Sequence, residues 1–138
     1  MGGRHIPAAV TLAPEVVTMM RAHAERAWPE ECVGALLSRG PTVVVARPLA
    51  NTAPAPRSHF LVSARETLAA AAEADAQGLT LSGFYHSHPD GPAEPSAHDA
   101  ASATPGLWTV IVRVRGGRAD APRAFRFEQE RFIEGAGP

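Results

Sequence analysis

Apolar and polar positions follow two different rhythms along the 138-residue chain. From Pro14 the run "PEVVTMMRAHAERAW" sets Val16, Met20, His23 and Ala27 at steps of three and four, the spacing of one helix face. Proline followed by Glu15 suits a first helical turn, and Pro29 ends or interrupts the helix. "CVGALLSRG" and "TVVVARPL" switch to strand character and predict a pair joined by a turn at Arg39-Gly40-Pro41. The polar, Pro-rich "NTAPAPRSHF" reads as a surface loop. Ser63 and Glu66 form S-x-x-E, a capping box opening the Ala-rich helix "TLAAAAEADAQ", which Gly78 closes. "LTLSGFYHSH" predicts a half-buried strand stopped by Pro89, and "PDGPAEP" a stiff loop. Ser96 can cap a short helix, "AHDAASA", closed by Pro105-Gly106. "LWTVIVRV", the "RGGR" turn and "RAFRFEQ" predict a hairpin, after which the last residues are expected to fray.

Helices and strands alternate without a repeat or a dividing linker. One α/β domain over residues 1–138, a mixed sheet flanked by helices, is therefore the expected architecture. Strand order cannot be read from this pattern.

Composition narrows the partners. An apolar fraction of 45%, a charged fraction of 20% and a net charge of −1 describe an ordinary globular protein. With no Lys/Arg-rich run, neither nucleic acid nor an acidic membrane surface is expected as the main partner. No stretch approaches a membrane span, and "MGGRHIPAAV" lacks the apolar core of a signal peptide, so a cytoplasmic location is expected. The single cysteine, Cys32, excludes an intrachain disulfide, Cys-rich zinc sites and the P-C-x-x-C pattern of zinc deaminases. Any metal would have to be held by nitrogen and oxygen.

Residues 84–100, "FYHSHPDGPAEPSAHDA", concentrate three histidines and three acids in one stretch. His86 and His88 stand at i and i+2 near the end of a predicted strand, so both imidazoles project from one face and Ser87 from the other. Asp99 falls in the first turn of the next predicted helix, where its carboxylate can return over the loop. Two imidazoles and a carboxylate leave a fourth tetrahedral position open, as catalytic rather than structural zinc sites do. A plainer reading stands beside this one. H-x-H also occurs at exposed strand ends, and Ser96 with Asp99 has the form of a helix cap. His98 reads as a solvated helix residue, His5, His23 and His59 as surface or core-edge residues, and Asp90 and Glu94 as solvated loop acids.

The separated elements together resemble the JAMM, or MPN+, zinc metallopeptidases, whose signature is E-x-x-G, then H-x-H-P, then S-x-x-D. The chain supplies "ECVG" (Glu31 to Gly34), "HSHP" (His86 to Pro89) and "SAHD" (Ser96 to Asp99). "RPLANTAPAPRSHFLVSARE" is similar to the family's segment with an Asn, a loop and an aromatic residue entering a helix, so the likeness covers about residues 11–115. It implies an MPN fold of cytidine-deaminase-like architecture, with Zn2+ held by His86, His88 and Asp99. Glu31 would be the general acid/base, chosen over Glu30 by its distance to Gly34, and Ser96 would stabilise the oxyanion. Bacterial-type members often carry Cys directly before that glycine, where this chain has Val33.

The activity implied is hydrolysis after the C-terminal glycine of a ubiquitin-like or sulfur-carrier β-grasp protein ending in Gly-Gly. In a small stand-alone chain a bacterial carrier is expected over eukaryotic ubiquitin, and the Ala-, Pro- and Arg-rich composition is compatible with a GC-rich bacterial genome. The alternatives are a non-catalytic MPN scaffold and a zinc site that merely holds the loop. Oligomeric state is left open.

Overall fold

The structure is a computed structural model and describes residues 9–135; His5 and both chain ends lie outside the described residues. In chain order the elements are β1 (Thr11–Leu12), α1 (Pro14–Ala27), β2 (Val33–Arg39), β3 (Thr42–Leu49), α2 (Ala64–Ala76), β4 (Thr80–Pro89), α3 (Ala97–Ser102), β5 (Trp108–Arg115), β6 (Arg118–Ala119), β7 (Arg123–Glu128) and β8 (Arg131–Glu134). The strands form one mixed sheet in the order β1-β3-β2-β4-β5-β7-β8, with β6 paired to β5. β1/β3 and β4/β5 are parallel, and the remaining pairs are antiparallel.

Strand alternation distributes the core between the two faces of the sheet. On one face α1 lays Val16, Met20 and Ala24 against Leu36, Tyr85, Val110 and Val112. On the other, α2 packs Ala70 and Ala74 against Val33, Ala35 and Leu37. In α1 it is Ala24 that is buried, while His23 sits at the core edge with Nδ1 2.7 Å from the Tyr85 hydroxyl. Small alanines on α2 let the helix lie close to β2.

Several local expectations need correction. Ser63 caps α2 by accepting from the Glu66 N–H, but the Glu66 carboxylate turns away to accept from the Ala50 N–H at 3.0 Å. Pro89 does not stop the β4–β5 ladder, because it pairs with Val114 and the Asp90 N–H still donates to the Val114 carbonyl. The "RGGR" hairpin is only two residues deep, Val114 with Ala119 and Arg115 with Arg118. Past Pro122, which has no N–H to donate, the chain re-enters as β7 along the first half of β5. β1 and β8 span two and four residues, too short for a hydrophobic period to register.

Gly34 has a steric reason. It stands opposite Tyr85 in the β2–β4 register, and a Cβ there would meet the Tyr85 ring at 2.1 Å. The tyrosine lies flat across the glycine, and its hydroxyl reaches His23 beyond. Gly34→Ala is therefore expected to destabilise the fold by about 1–3 kcal/mol or more, the usual cost of overpacking. Gly91→Ala, whose Cβ would meet nothing nearer than 3.9 Å, serves as the control in urea denaturation.

Candidate metal and hydrolytic site

The pairing of β2 with β4 assembles the site. Val33 is opposite His86, and Cys32 and Ser87 bond reciprocally just beyond: the Ser87 N–H to the Cys32 carbonyl at 3.1 Å, the Cys32 N–H to Ser87 Oγ at 2.8 Å. One more step along this register brings Glu31 opposite His88. Alternation then aims Glu31, Phe84, His86 and His88 at the α2 face, while Ser87 points away as expected. Two backbone contacts with the loop that follows β3 fix Glu31: its N–H donates to the Pro56 carbonyl at 2.7 Å, and its carbonyl accepts from Asn51 Nδ2 at 2.9 Å.

From above, α3 delivers the carboxylate. Asp99 Oδ1 lies 3.0 Å from His86 Nε2, Asp99 Oδ2 lies 3.0 Å from His88 Nε2, and the two Nε2 atoms are 3.1 Å apart. Cap and candidate ligand are one and the same residue. Ser96 Oγ accepts from the Asp99 N–H, and Asp99 Oδ2 accepts from the Ser96 N–H, which completes the capping box.

This donor set fits a small divalent cation. His88 Nδ1 faces the Pro92 carbonyl at 2.8 Å, and a carbonyl can only accept, so Nδ1 carries a proton and Nε2 is the coordinating nitrogen. Three potential ligand atoms thus converge on one focus. Zinc–nitrogen and zinc–oxygen bonds of about 2.0–2.2 Å would require ligand atoms about 3.3 Å apart in a tetrahedron, near the spacings found. His86, His88 and Asp99 are the group of metal-competent side chains among the described residues that come this close together.

Electrostatics agree with that focus. Burial alone would raise the Asp99 pKa, but hydrogen bonds from His86, His88 and the Ser96 N–H overcome it and hold the carboxyl well below the usual range. His86 is driven down by complete burial against the pull of Asp99. His88, also disfavoured by burial, ends raised because Asp99, the Pro92 carbonyl and Glu31 favour its cation. Glu31, 7% exposed, is pushed up to about 7, mainly by burial, with His88 opposing and Asp99 reinforcing the shift. A carboxyl of that affinity can both take and return a proton near neutrality.

The other expected positions divide. Ser96 lies beside Asp99, exposed, with its hydroxyl oxygen committed to the helix cap and its proton given to no acceptor among the described residues. Glu30 is exposed, as expected of a bystander. Cys32 is buried and its thiol is pushed up to about 11 by burial, which suits a filler and not a nucleophile. His98 is not a solvated helix residue: its ring packs edge-on against Phe60 and against His59, 4.4 Å away between centroids. Asp90 and Glu94 are anchors instead of free acids. Asp90 accepts from Trp28 Nε1 at 2.9 Å and from the Gly116 N–H at 2.8 Å, and Glu94 pairs with Arg123. Between them they pin the loop whose Pro92 carbonyl meets His88.

Two supporting residues went unassigned in the sequence. Phe60 stacks on His86, with centroids 4.5 Å apart and an interplanar angle of 28°. Asn51 gathers four backbone groups, including the Glu31 and His59 carbonyls and the Ala53 and Leu61 N–H groups. An Asn opening a Pro-rich loop was the available signal.

Comparison with known proteins identifies the family. Residues 13–128 match the sequence profile of the Prok-JAB family, described as prokaryotic homologs of the JAB domain. The chain belongs to the Prok-JAB family. Among Prok-JAB relatives, a probable TtuB-protein conjugate cleaving protease of Thermus thermophilus is 38% identical over 105 residues, 76% of this chain and 67% of that one. A desampylase of Haloferax volcanii is 36% identical over 86 residues, 60% of this chain and 62% of its own length. In structure, a protein from Desulfitobacterium hafniense superposes with a TM-score of 0.83 at 30% identity, covering 94% of this chain and 91% of the other. A JAB1/MPN domain protein from Archaeoglobus fulgidus superposes with a TM-score of 0.64 over 96% of this chain and 100% of its own, which at 15% identity speaks to the fold alone. The mixed, helix-flanked sheet is thus the MPN fold expected.

Two outcomes follow for this Prok-JAB chain. Because the Glu31 carboxyl is raised from an ordinary value near 4.5 to about 7, the folded state binds the extra proton in that window. The Glu31 contribution to the stability of the metal-free protein must then fall as pH rises from about 4.5 through 7, whereas the lowered His86 contributes in the opposite sense. Glu31→Gln is expected to gain roughly 1–3 kcal/mol over wild type at pH 8 and nothing at pH 4, by urea denaturation with a chelator present. Asp90→Ala is expected to speed amide exchange across residues 91–96 severalfold and leave the β2–β4 amides unchanged, as read by hydrogen–deuterium exchange.

Proposed function

We propose that the protein is a zinc-dependent hydrolase that cleaves the peptide or isopeptide bond after the C-terminal glycine of a ubiquitin-like, β-grasp protein. One observation carries this reading: a buried carboxyl tuned near neutrality, Glu31, stands beside a convergent His86, His88 and Asp99 set. The names of the Thermus and Haloferax relatives support a protein conjugate as substrate.

His86, His88 and Asp99 would hold the metal. Zinc bound there would supply Lewis acidity, lowering the pKa of a water toward about 7 and polarising the scissile carbonyl. Glu31, as carboxylate, takes a proton from the attacking water as its oxygen bonds to the carbonyl carbon. The protonated Glu31 then returns that proton to the nitrogen as the carbon–nitrogen bond breaks. The acid's remaining proton passes to the amine, so a carboxylate tail and an ammonium group leave and Glu31 is regenerated. The Ser96 hydroxyl donates to the carbonyl oxygen as negative charge grows on it, a role its exposed position and unused proton permit. Fixing Glu31 by both its backbone groups limits the motion that would misplace this proton transfer.

The test separates metal binding from chemistry. His88→Ala is expected to lose the one zinc per chain that metal analysis should find in wild type. Glu31→Gln should keep that zinc yet cut a β-grasp protein with a C-terminal extension about 10²–10⁴-fold more slowly. Glu30→Gln is expected to match wild type. Undiminished hydrolysis by Glu31→Gln would sink the assignment.

A further inference from the structure

Beside the metal-competent cluster lies a cavity of about 240 Å³. His86 and Asp99 form one wall, Phe60, Val62, Phe84 and Leu107 are among the apolar lining residues, and three threonines and a serine add hydroxyls. Phe84 and His86 share one face of β4, so the cavity runs along that strand away from His88 and Glu31. Its lining is mainly apolar, and at this size it is smaller than a pocket for a drug-sized ligand. An apolar cavity of about 150 Å³ is enough to hold a benzene ring, so this one accepts a single large side chain.

We infer that it is a specificity pocket for an apolar side chain on the residue released with the amine. The inference rests on the reading above, in which the acyl side of the cleaved bond is Gly-Gly. Those two residues bring no side chain to fill the space. The cavity borders two of the ligand residues themselves, so its occupant belongs to a residue immediately at the bond. The nearest side chain the substrate owns is then that of the leaving residue, whether a linear extension or the methylene stem of a conjugated lysine. An acidic side chain is excluded twice over, by the apolar lining and by the Asp99 carboxylate in the wall.

The pocket is tested first by binding, which does not depend on turnover. Isotope-labelled protein, with and without zinc, is titrated with leucinamide, phenylalaninamide, glycinamide and aspartic acid α-amide, each a mimic of a released amine. Leucinamide and phenylalaninamide are expected to shift the NMR signals of Val62, Leu107 and Trp108, and to bind about tenfold or more tighter than the other two. Thr109→Phe, which fills the cavity from its floor, should abolish that preference, and Val62→Trp at its wall should do the same if the first variant misfolds. Equal shifts from all four amides, or a preference that survives both fillings, would overturn the pocket. Cleavage of a β-grasp protein ending in Gly-Gly-Leu or Gly-Gly-Asp is then compared in the zinc-loaded enzyme. Failure to cut either one counts against the hydrolase reading and leaves the binding result standing; faster cleavage of the Leu form supports the pocket, and equal rates count against it.

Discussion

Everything at the site depends on the register between β2 and β4. With Val33 opposite His86, alternation sends Glu31 and both histidines to the face that α3 covers, and Tyr85 to the face that α1 covers. A slip of one residue would reverse every one of these directions. The reciprocal Cys32–Ser87 bonds and the Tyr85 ring seated on Gly34 oppose that slip from the far side of the sheet. The face that carries the candidate site is thus specified partly by residues that never approach it.

The same burial that holds the fold together sets the charge states of the candidate site. Glu31, His86 and Asp99 are all nearly inaccessible, and each would resist ionisation there if it stood alone. They do not stand alone. Asp99 keeps its charge because two imidazoles and a backbone N–H face it, whereas Glu31, with no comparable donor among the described residues, stays close to the point of gaining or losing a proton. One cleft therefore holds one carboxyl that stays charged and another that exchanges its proton near neutral pH. That separation is what distinguishes a candidate ligand from a candidate base.

Much of this was legible in the chain because it is local. Helix periodicity, capping residues and strand alternation gave α1, α2, α3 and the central strands nearly to the residue. The resemblance to the JAMM signature named Glu31, His86, His88, Ser96 and Asp99, residues that fold into one neighbourhood. What could not be read is long-range or very short. Strand order depends on crossovers that leave no periodic trace, and β1, β6 and β8 are too brief to carry one. The anchoring of Asp90 to Trp28 spans 62 positions, so an acid in a Gly- and Pro-rich loop resembled a solvated one until its partners were in place. Phe60 likewise became part of the site only through its stacking on His86.

Asp99 serves two masters. Its carboxylate closes the capping box that starts α3 and also faces both imidazoles, so selection for shape and selection for chemistry act on one side chain. A descendant that had abandoned catalysis would still have reason to retain this aspartate, since the helix needs its oxygen whether or not a cation is present. Neither imidazole takes part in starting a helix, and the bond from His88 Nδ1 to the Pro92 carbonyl holds only the loop. In judging whether a related chain is still an enzyme, the histidine pair is therefore the informative sign, and a surviving aspartate alone is not.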